Sequence, residues 1–178
     1  MANSVAVASG KGGVGKTTIA VNLALTLRMM SQQVGLLDTD FGLANSHIIL
    51  GINPKKTIRD LLKSNLSISE IIENGPLGLK FVSGGSGLID ILNLETNTIF
   101  QVIRAFDPLK KSIDTVVVDI PAGASDHSLS FSAAVDRLLI VLVGEPTSFM
   151  DAYTFIKAAS IEKGIRNFSV VVNMSESN

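Results

Sequence analysis

The sequence predicts an α/β fold, a doubly wound and mainly parallel sheet flanked by helices, on three observations. Short β-branched runs alternate with segments of helical length along all 178 residues. Most of those runs are continuously apolar rather than alternating, which marks strands covered on both faces. The length suits one domain with a sizeable core, and no repeat, low-complexity tract or interdomain linker divides it.

In chain order, strands are expected at Val5–Ser9, Val34–Asp38, Lys80–Ser83, Thr115–Ile120, Leu138–Val143 and Phe168–Asn173. Helices are expected at Lys16–Met30, Ile58–Lys63, Ile68–Glu73, Thr96–Phe106, His127–Val135 and Ser148–Glu162. In the first helix Ile19, Leu23, Thr26 and Leu27 share a face, the spacing of a helix packed on a sheet. The tract Gly84–Gly87 is a loop too short to separate domains. In such a fold, ligands sit at the carboxyl ends of the strands.

Composition excludes several classes. Charged residues make up 17% of the chain, against about 25% in typical soluble domains. Mean hydropathy is +0.40, so the chain carries more apolar surface than a solitary soluble domain needs. The longest apolar run, Leu138 to Val143, is far short of the ~20 residues of a membrane-spanning helix. A net charge of −1 and a pI of about 6.1 offer no global field for nucleic acid or anionic lipid. With no cysteine, these residues supply no disulfide, thiolate metal site or iron–sulfur ligand. Gly10 and Lys11 interrupt the first apolar stretch too early for a signal peptide, so the expected compartment is the cytoplasm.

Gly10 to Thr17 carry the spacing G-x-x-x-x-G-K-[ST], followed by Thr18. Gly10, Gly12, Gly13 and Gly15, with Val14 between them, let successive backbone N–H groups point inward as an anion nest. The helix that follows adds its positive end. Lys16 then reaches β- and γ-phosphates, and the Thr17 hydroxyl takes a Mg²⁺ position. The strand before the motif and the amphipathic helix after it supply the context that a chance glycine-rich turn lacks.

Two further strand ends carry carboxylates. Asp38 and Asp40, at i and i+2 of an extended segment, are expected to face the phosphates. Asp40 is read as orienting an attacking water and the Mg²⁺ shell, and Asp38 as supporting Lys16 or that network. A pair of turn aspartates is the alternative. Thr115-Val-Val-Val-Asp119 ends in a carboxylate suited to hold Mg²⁺ through a water. Gly123 follows four residues later. Asn173, at the last strand end, reads by composition alone as a strand-end cap. His47 and His127 have no metal partners in the sequence and are assigned solvated or packing roles. Tyr153 alone makes no tyrosine cluster.

The second loop lysine, Lys11 in Lys11-Gly-Gly-Val-Gly-Lys-Thr-Thr18, resembles the signature lysine of the MinD/ParA family of ATPases, P-loop NTPases with a deviant Walker A motif. The resemblance implies ATP and Mg²⁺ as cofactors and an ATP-dependent homodimer. In it Lys11 crosses to the partner's phosphates and stabilises transition-state charge as an arginine finger does. It also implies that Asp38–Asp40 and Ile120–Gly123 are the two switch segments, that the Gly123 N–H senses a γ-phosphate, and that Asn173 reads the adenine edge. Asp40-Phe-Gly-Leu-Ala-Asn45, Leu50-Gly-Ile52, Ser83–Gly87 and Glu145-Pro-Thr-Ser148 with Asp151-Ala-Tyr-Thr-Phe-Ile-Lys157 resemble the FlhG/FleN branch, which regulates flagellar number and placement. By the same resemblance Glu145 and Asp151 lie on the dimer face, and the flagellar GTPase FlhF or other positioning proteins are partners.

That branch places an FlhF-stimulating extension before the first strand, whereas here Met1 abuts it. Relatives also continue past the adenine strand to an amphipathic membrane-targeting helix. The expectation for residues 1–178 is therefore a single ATPase domain without those C-terminal elements, and without their membrane association. Two other classes share the fold: a DNA-partition ATPase of the ParA type, and a small-molecule phosphoryl transferase or ligase. Lys11 with the Glu-Pro-Thr block argues against the transferase, and the pI against the DNA binder.

Overall fold

The computed structural model describes residues 3–41, 44–64, 66–85, 96–105, 108 and 112–175. Strands β1 (Asn3–Ala8), β2 (Val34–Asp38), β3 (Glu73–Asn74), β4 (Lys80–Val82), β5 (Thr115–Asp119), β6 (Arg137–Val143) and β7 (Phe168–Asn173) form one sheet. Its order is β3-β4-β2-β5-β1-β6-β7. Every pair is parallel except β3 with β4. The helices are α1 (Lys16–Met29), α2 (Ser46–Leu50), α3 (Ile58–Ser64), α4 (Ile68–Ile71), α5 (Thr96–Ala105), α6 (Asp126–Ala133) and α7 (Pro146–Lys163). The six expected strands and six expected helices are present with ends shifted by a residue or two. The short edge strand β3 and the single-turn α2 are additions, both too short to leave a periodic signal.

Strand alternation divides the core in two. Ala6, Ala8, Leu37, Val118, Ile140 and Leu142 face Ile58, Ile71, Val102, Phe131 and Phe155 of α3 to α7. Val7, Leu36, Phe81, Val117 and Val141 face Ala20, Val21 and Ala24 of α1, with Leu50 of α2. Both sheet faces are covered, as the continuous apolar runs require.

One expectation needs correction. The buried stripe of α1 is Ala20, Val21 and Ala24, while Ile19, Leu23 and Leu27 flank it half-buried and Thr26 is exposed. Small side chains let this helix lie close on the sheet, so the larger residues sit at the sides of the contact rather than beneath it.

The register aligns the strand ends that build the site. Val7 pairs with Asp119, and Asp119 with Asp38, in one row across β1, β5 and β2. Val143 pairs with Asn173 at the ends of β6 and β7. Within the Asp40–Asn45 and Ser83–Gly87 segments, Gly42, Leu43, Ser86 and Gly87 lie outside the described residues, as does Phe106 at the end of α5.

Candidate functional site

The loop from Ser9 to Gly15 joins the end of β1 to α1. Gly13 and Gly15 hold φ of +80° and +84°, in the left-handed region where a side chain is strained. Among the described residues no acceptor engages the backbone N–H groups of Gly12, Gly13, Val14 or Gly15, so they remain available to an anion. Gly10 is required for another reason: a Cβ there would overlap the backbone of Asp151 in α7. The loop thus lies directly on α7. Ser9 Oγ donates to the Lys11 carbonyl at 2.9 Å, and Gly123 N–H donates to the Ser9 carbonyl at 2.9 Å, tying the loop's base to the segment after β5.

Lys16 is buried at the start of α1, and its ammonium stands between two oxygens. Nζ donates to Asp119 Oδ1 at 2.5 Å and to Thr17 Oγ1 at 3.3 Å. These are the oxygens that the sequence assigns to a metal shell. An ammonium already bridges them, so the pair accepts a cation, and the all-oxygen donor set suits a hard ion such as Mg²⁺. Among the described residues no three His, Asp or Glu form a metal cage. A divalent ion here therefore depends on water and phosphate oxygens for the rest of its coordination.

Asp38 and Asp40 part company. β2 ends at Asp38, and the chain turns there: Asp40 N–H donates to Asp38 Oδ1 at 3.0 Å and Phe41 N–H to the Thr39 carbonyl at 3.1 Å. The i, i+2 rule of an extended strand therefore does not carry to Asp40. Asp38 is fully buried, and its Oδ2 accepts from Ser46 N–H at 3.1 Å. Burial, reinforced by the charge of Asp119, pushes its carboxyl up to about 6, against the hydrogen bonds from Asp40 and Ser46. Lys16 takes Asp119 as its ion-pair partner, so Asp38 supports the network through Ser46 instead. The charge of Asp40 acts on His127.

Ser46 is a residue that the sequence reading missed. Its N–H serves Asp38 and its Oγ reaches Asp119 Oδ2 at 3.4 Å, linking two strand ends through α2. Its partners are 8 and 73 residues away, and only the β2–β5 register brings them together.

At the other end of the loop, Lys11 Nζ pairs with Glu145 Oε2 at 2.9 Å and donates to Thr147 Oγ1 at 3.4 Å, both beside the start of α7. The hydrogen bond and charge of Glu145 raise its pKa. Asn173 Nδ2 donates to the Val14 carbonyl at 2.9 Å, fastening the end of β7 to the loop with one of its two amide N–H groups. A Cβ on Gly15 would overlap this same amide. A cavity of about 490 Å³ opens here, lined by Lys11, Gly12, Gly13, Val14, Glu145 and Met174 among others. Thr18 follows on the exposed side of α1.

A family model described as ParA, NUBPL iron-transfer P-loop NTPase, matches residues 1–178. The chain belongs to the ParA family. This ParA chain is 39% identical over 173 residues to the antiactivator FleN of Pseudomonas aeruginosa, covering 97% of itself and 62% of that relative. It is 35% identical over 159 residues to the flagellum site-determining protein YlxH of Helicobacter pylori, covering 89% of itself and 54% of YlxH. Against the septum site-determining protein MinD of Pyrococcus horikoshii, solved with Mg-ADP, the TM-score is 0.82 at 23% identity, over 97% of this chain and 70% of that one. That likeness speaks for the fold. The ParA chain thus spans about three-fifths of the length of FleN and about half that of YlxH.

Proposed function

We propose that this chain is the nucleotide-binding part of an ATP-dependent dimeric switch, which hydrolyses Mg-ATP slowly and acts in flagellar number or placement. The observation that carries the reading is the bridging position of Lys16, between Thr17 Oγ1 and Asp119 Oδ1 beneath a loop of unspent N–H groups. The resting cation is poised to exchange a carboxylate for phosphate oxygens. Mg²⁺, when bound, would neutralise β- and γ-phosphate charge from the Thr17 and Asp119 side.

The roles follow in order. The N–H groups of Gly12 to Gly15 bind phosphate, Lys16 turns from Asp119 to the β- and γ-phosphates, and Gly123 exchanges its bond to the Ser9 carbonyl for the γ-phosphate it senses. Asp40 orients the attacking water. Asn173 reads the adenine edge, with its carbonyl oxygen left for the base. Lys11 leaves Glu145 to reach the phosphates of a second copy, so hydrolysis follows dimerisation. Phe149, Met150 and Tyr153 support a dimer face there. They lie exposed on the first turns of α7, where Gly10 packs and Lys11 meets Glu145.

The flagellar assignment is supported by FleN and YlxH, whose names describe an antiactivator and a site-determining protein. The iron-transfer description of the family model has no thiolate in these 178 residues to act on. FlhF or another positioning protein is the partner proposed. No helix of the described residues is long and apolar enough to cross a membrane.

Calorimetry and size exclusion test the reading together. Wild type should bind Mg-ATP, and Lys16→Ala should not. Asp40→Ala should bind ATP, stop turning over and accumulate as a dimer. Hydrolysis at the normal rate by Asp40→Ala would overturn the assignment of the water-orienting carboxylate.

A further inference from the structure

His127 sits in the first turn of α6 and closes a triangle of tilted rings with two phenylalanines. Its ring centroid lies 5.0 Å from that of Phe41 and 5.0 Å from that of Phe131, and the two phenylalanine rings are 6.3 Å apart. Both phenylalanines are almost fully buried. Phe41 directly follows Asp40, the carboxylate assigned to the attacking water, so this ring cluster joins α6 to the first switch segment. The same turn of α6 is fastened to the second switch segment, because Ser128 Oγ donates to the Pro121 carbonyl at 3.2 Å. Ser125 caps the helix by accepting from Ser128 N–H at 3.2 Å.

The imidazole buries an Nε2 that has no hydrogen-bond partner among the described residues. An orphaned buried polar atom is destabilising, and a position that keeps one invites a functional explanation. Burial holds the ring neutral, with one nitrogen an N–H donor and the other an acceptor. The charge that acts on it is that of Asp40.

We propose that His127 is a positioning residue for hydrolysis: it holds Phe41 by ring contact, and its Nε2 closes onto the Asp40 carboxylate when nucleotide draws the two switch segments together. Its N–H then helps to hold that carboxylate toward the water. This rests on the reading of Asp40 given above. His127 itself touches neither nucleotide nor water, and no proton leaves it.

Steady-state ATP hydrolysis by the full chain tests it. His127→Phe keeps an aromatic ring in the cluster and loses the nitrogens. It should lower kcat about tenfold or more, the effect of losing one hydrogen bond to a charged group, while KM for ATP stays within about twofold. Its unfolding midpoint should equal or exceed that of wild type, because the orphaned atom is gone. A role in packing alone would leave kcat unchanged, and that result overturns the proposal. His127→Gln, which keeps an N–H, should recover part of the lost rate.

A direct measurement needs no change at His127. With imidazole ¹⁵N labelling, Mg-AMP-PNP should shift the His127 Nε2 resonance in wild type and leave it in place in Asp40→Ala. No shift in wild type overturns the proposal. Asp40→Ala separates the two readings. If it is inactive while His127→Phe turns over normally, only the role of His127 fails. If Asp40→Ala turns over normally, the role of Asp40 fails and this inference with it.

Discussion

Lys11 and Glu145 are paired within one chain, Nζ to Oε2 at 2.9 Å, with both side chains open to solvent. An exposed pair of this kind contributes little to stability. Its consequence is kinetic: the lysine proposed to serve a second copy's phosphates is engaged at home. Glu145→Ala should therefore leave the thermal midpoint unchanged and lower the protein concentration at which ATP turnover is half-maximal. Lys11→Ala should bind ATP normally and show a low rate at every protein concentration. Turnover measured across a dilution series checks both.

Lys16 and Asp119 form the opposite kind of pair, both buried. Removing the lysine leaves an uncompensated carboxylate in the interior, a change that typically costs about 3–5 kcal/mol. Lys16→Ala should therefore unfold earlier in urea even without nucleotide. Lys16→Ala with Asp119→Asn should recover most of the loss while still failing to bind ATP. Equal stability of the single variant and wild type would sink the pairing.

The strands and the phosphate loop were legible because their signals are local. Val34–Asp38 and Thr115–Asp119 are short runs, mostly apolar or β-branched, that end in a carboxylate, and the loop's glycines stand at fixed spacing. What escaped depends on register or on volume. Ser46 matters only because β2 and β5 align Asp38 with Asp119. The buried face of α1 was misread because close helix–sheet contact favours Ala20 and Ala24 over the larger Ile19 and Leu23. The divergence of Asp38 and Asp40 follows from a turn closed by a side chain, which strand alternation does not foresee. Solvated or packing roles are what the sequence offers for His127, and its orphaned nitrogen has no sequence signature.

Asp38 and His127 give opposite pH dependences. The Asp38 carboxyl is raised to about 6 from 3.8. The folded chain therefore keeps a proton that the unfolded chain has lost. That contribution is full below pH 3.8 and vanishes as pH rises through about 6. The His127 imidazole is lowered to about 4 from 6.5. Its contribution is full above pH 6.5 and vanishes as pH falls through about 4. Between pH 4 and 6 the two oppose, so wild type gains little slope from this pair. Asp38→Asn should leave a stability that rises with pH in this window relative to wild type, and His127→Phe one that falls. Each slope should approach about 1.4 kcal/mol per pH unit at most. Urea unfolding at half-unit pH steps measures both, and parallel curves for the two variants would contradict the shifts.

Gly10 and Gly12 stand two residues apart in one loop and should respond differently to the same substitution. A Cβ on Gly10 would overlap the Asp151 backbone, which cannot yield without moving α7. A Cβ on Gly12 meets nothing within 4 Å. Gly10→Ala should therefore cost about 1–3 kcal/mol or more, as overpacking does. It should also weaken ATP binding, because the whole loop is displaced from its seat. Gly12→Ala should stay within about 0.5 kcal/mol of wild type, the range of an unobstructed surface change. Urea unfolding of both variants, with a Gly10→Ala structure to locate the displaced loop, decides it. Equal costs at the two positions would mean that the loop does not rest on α7.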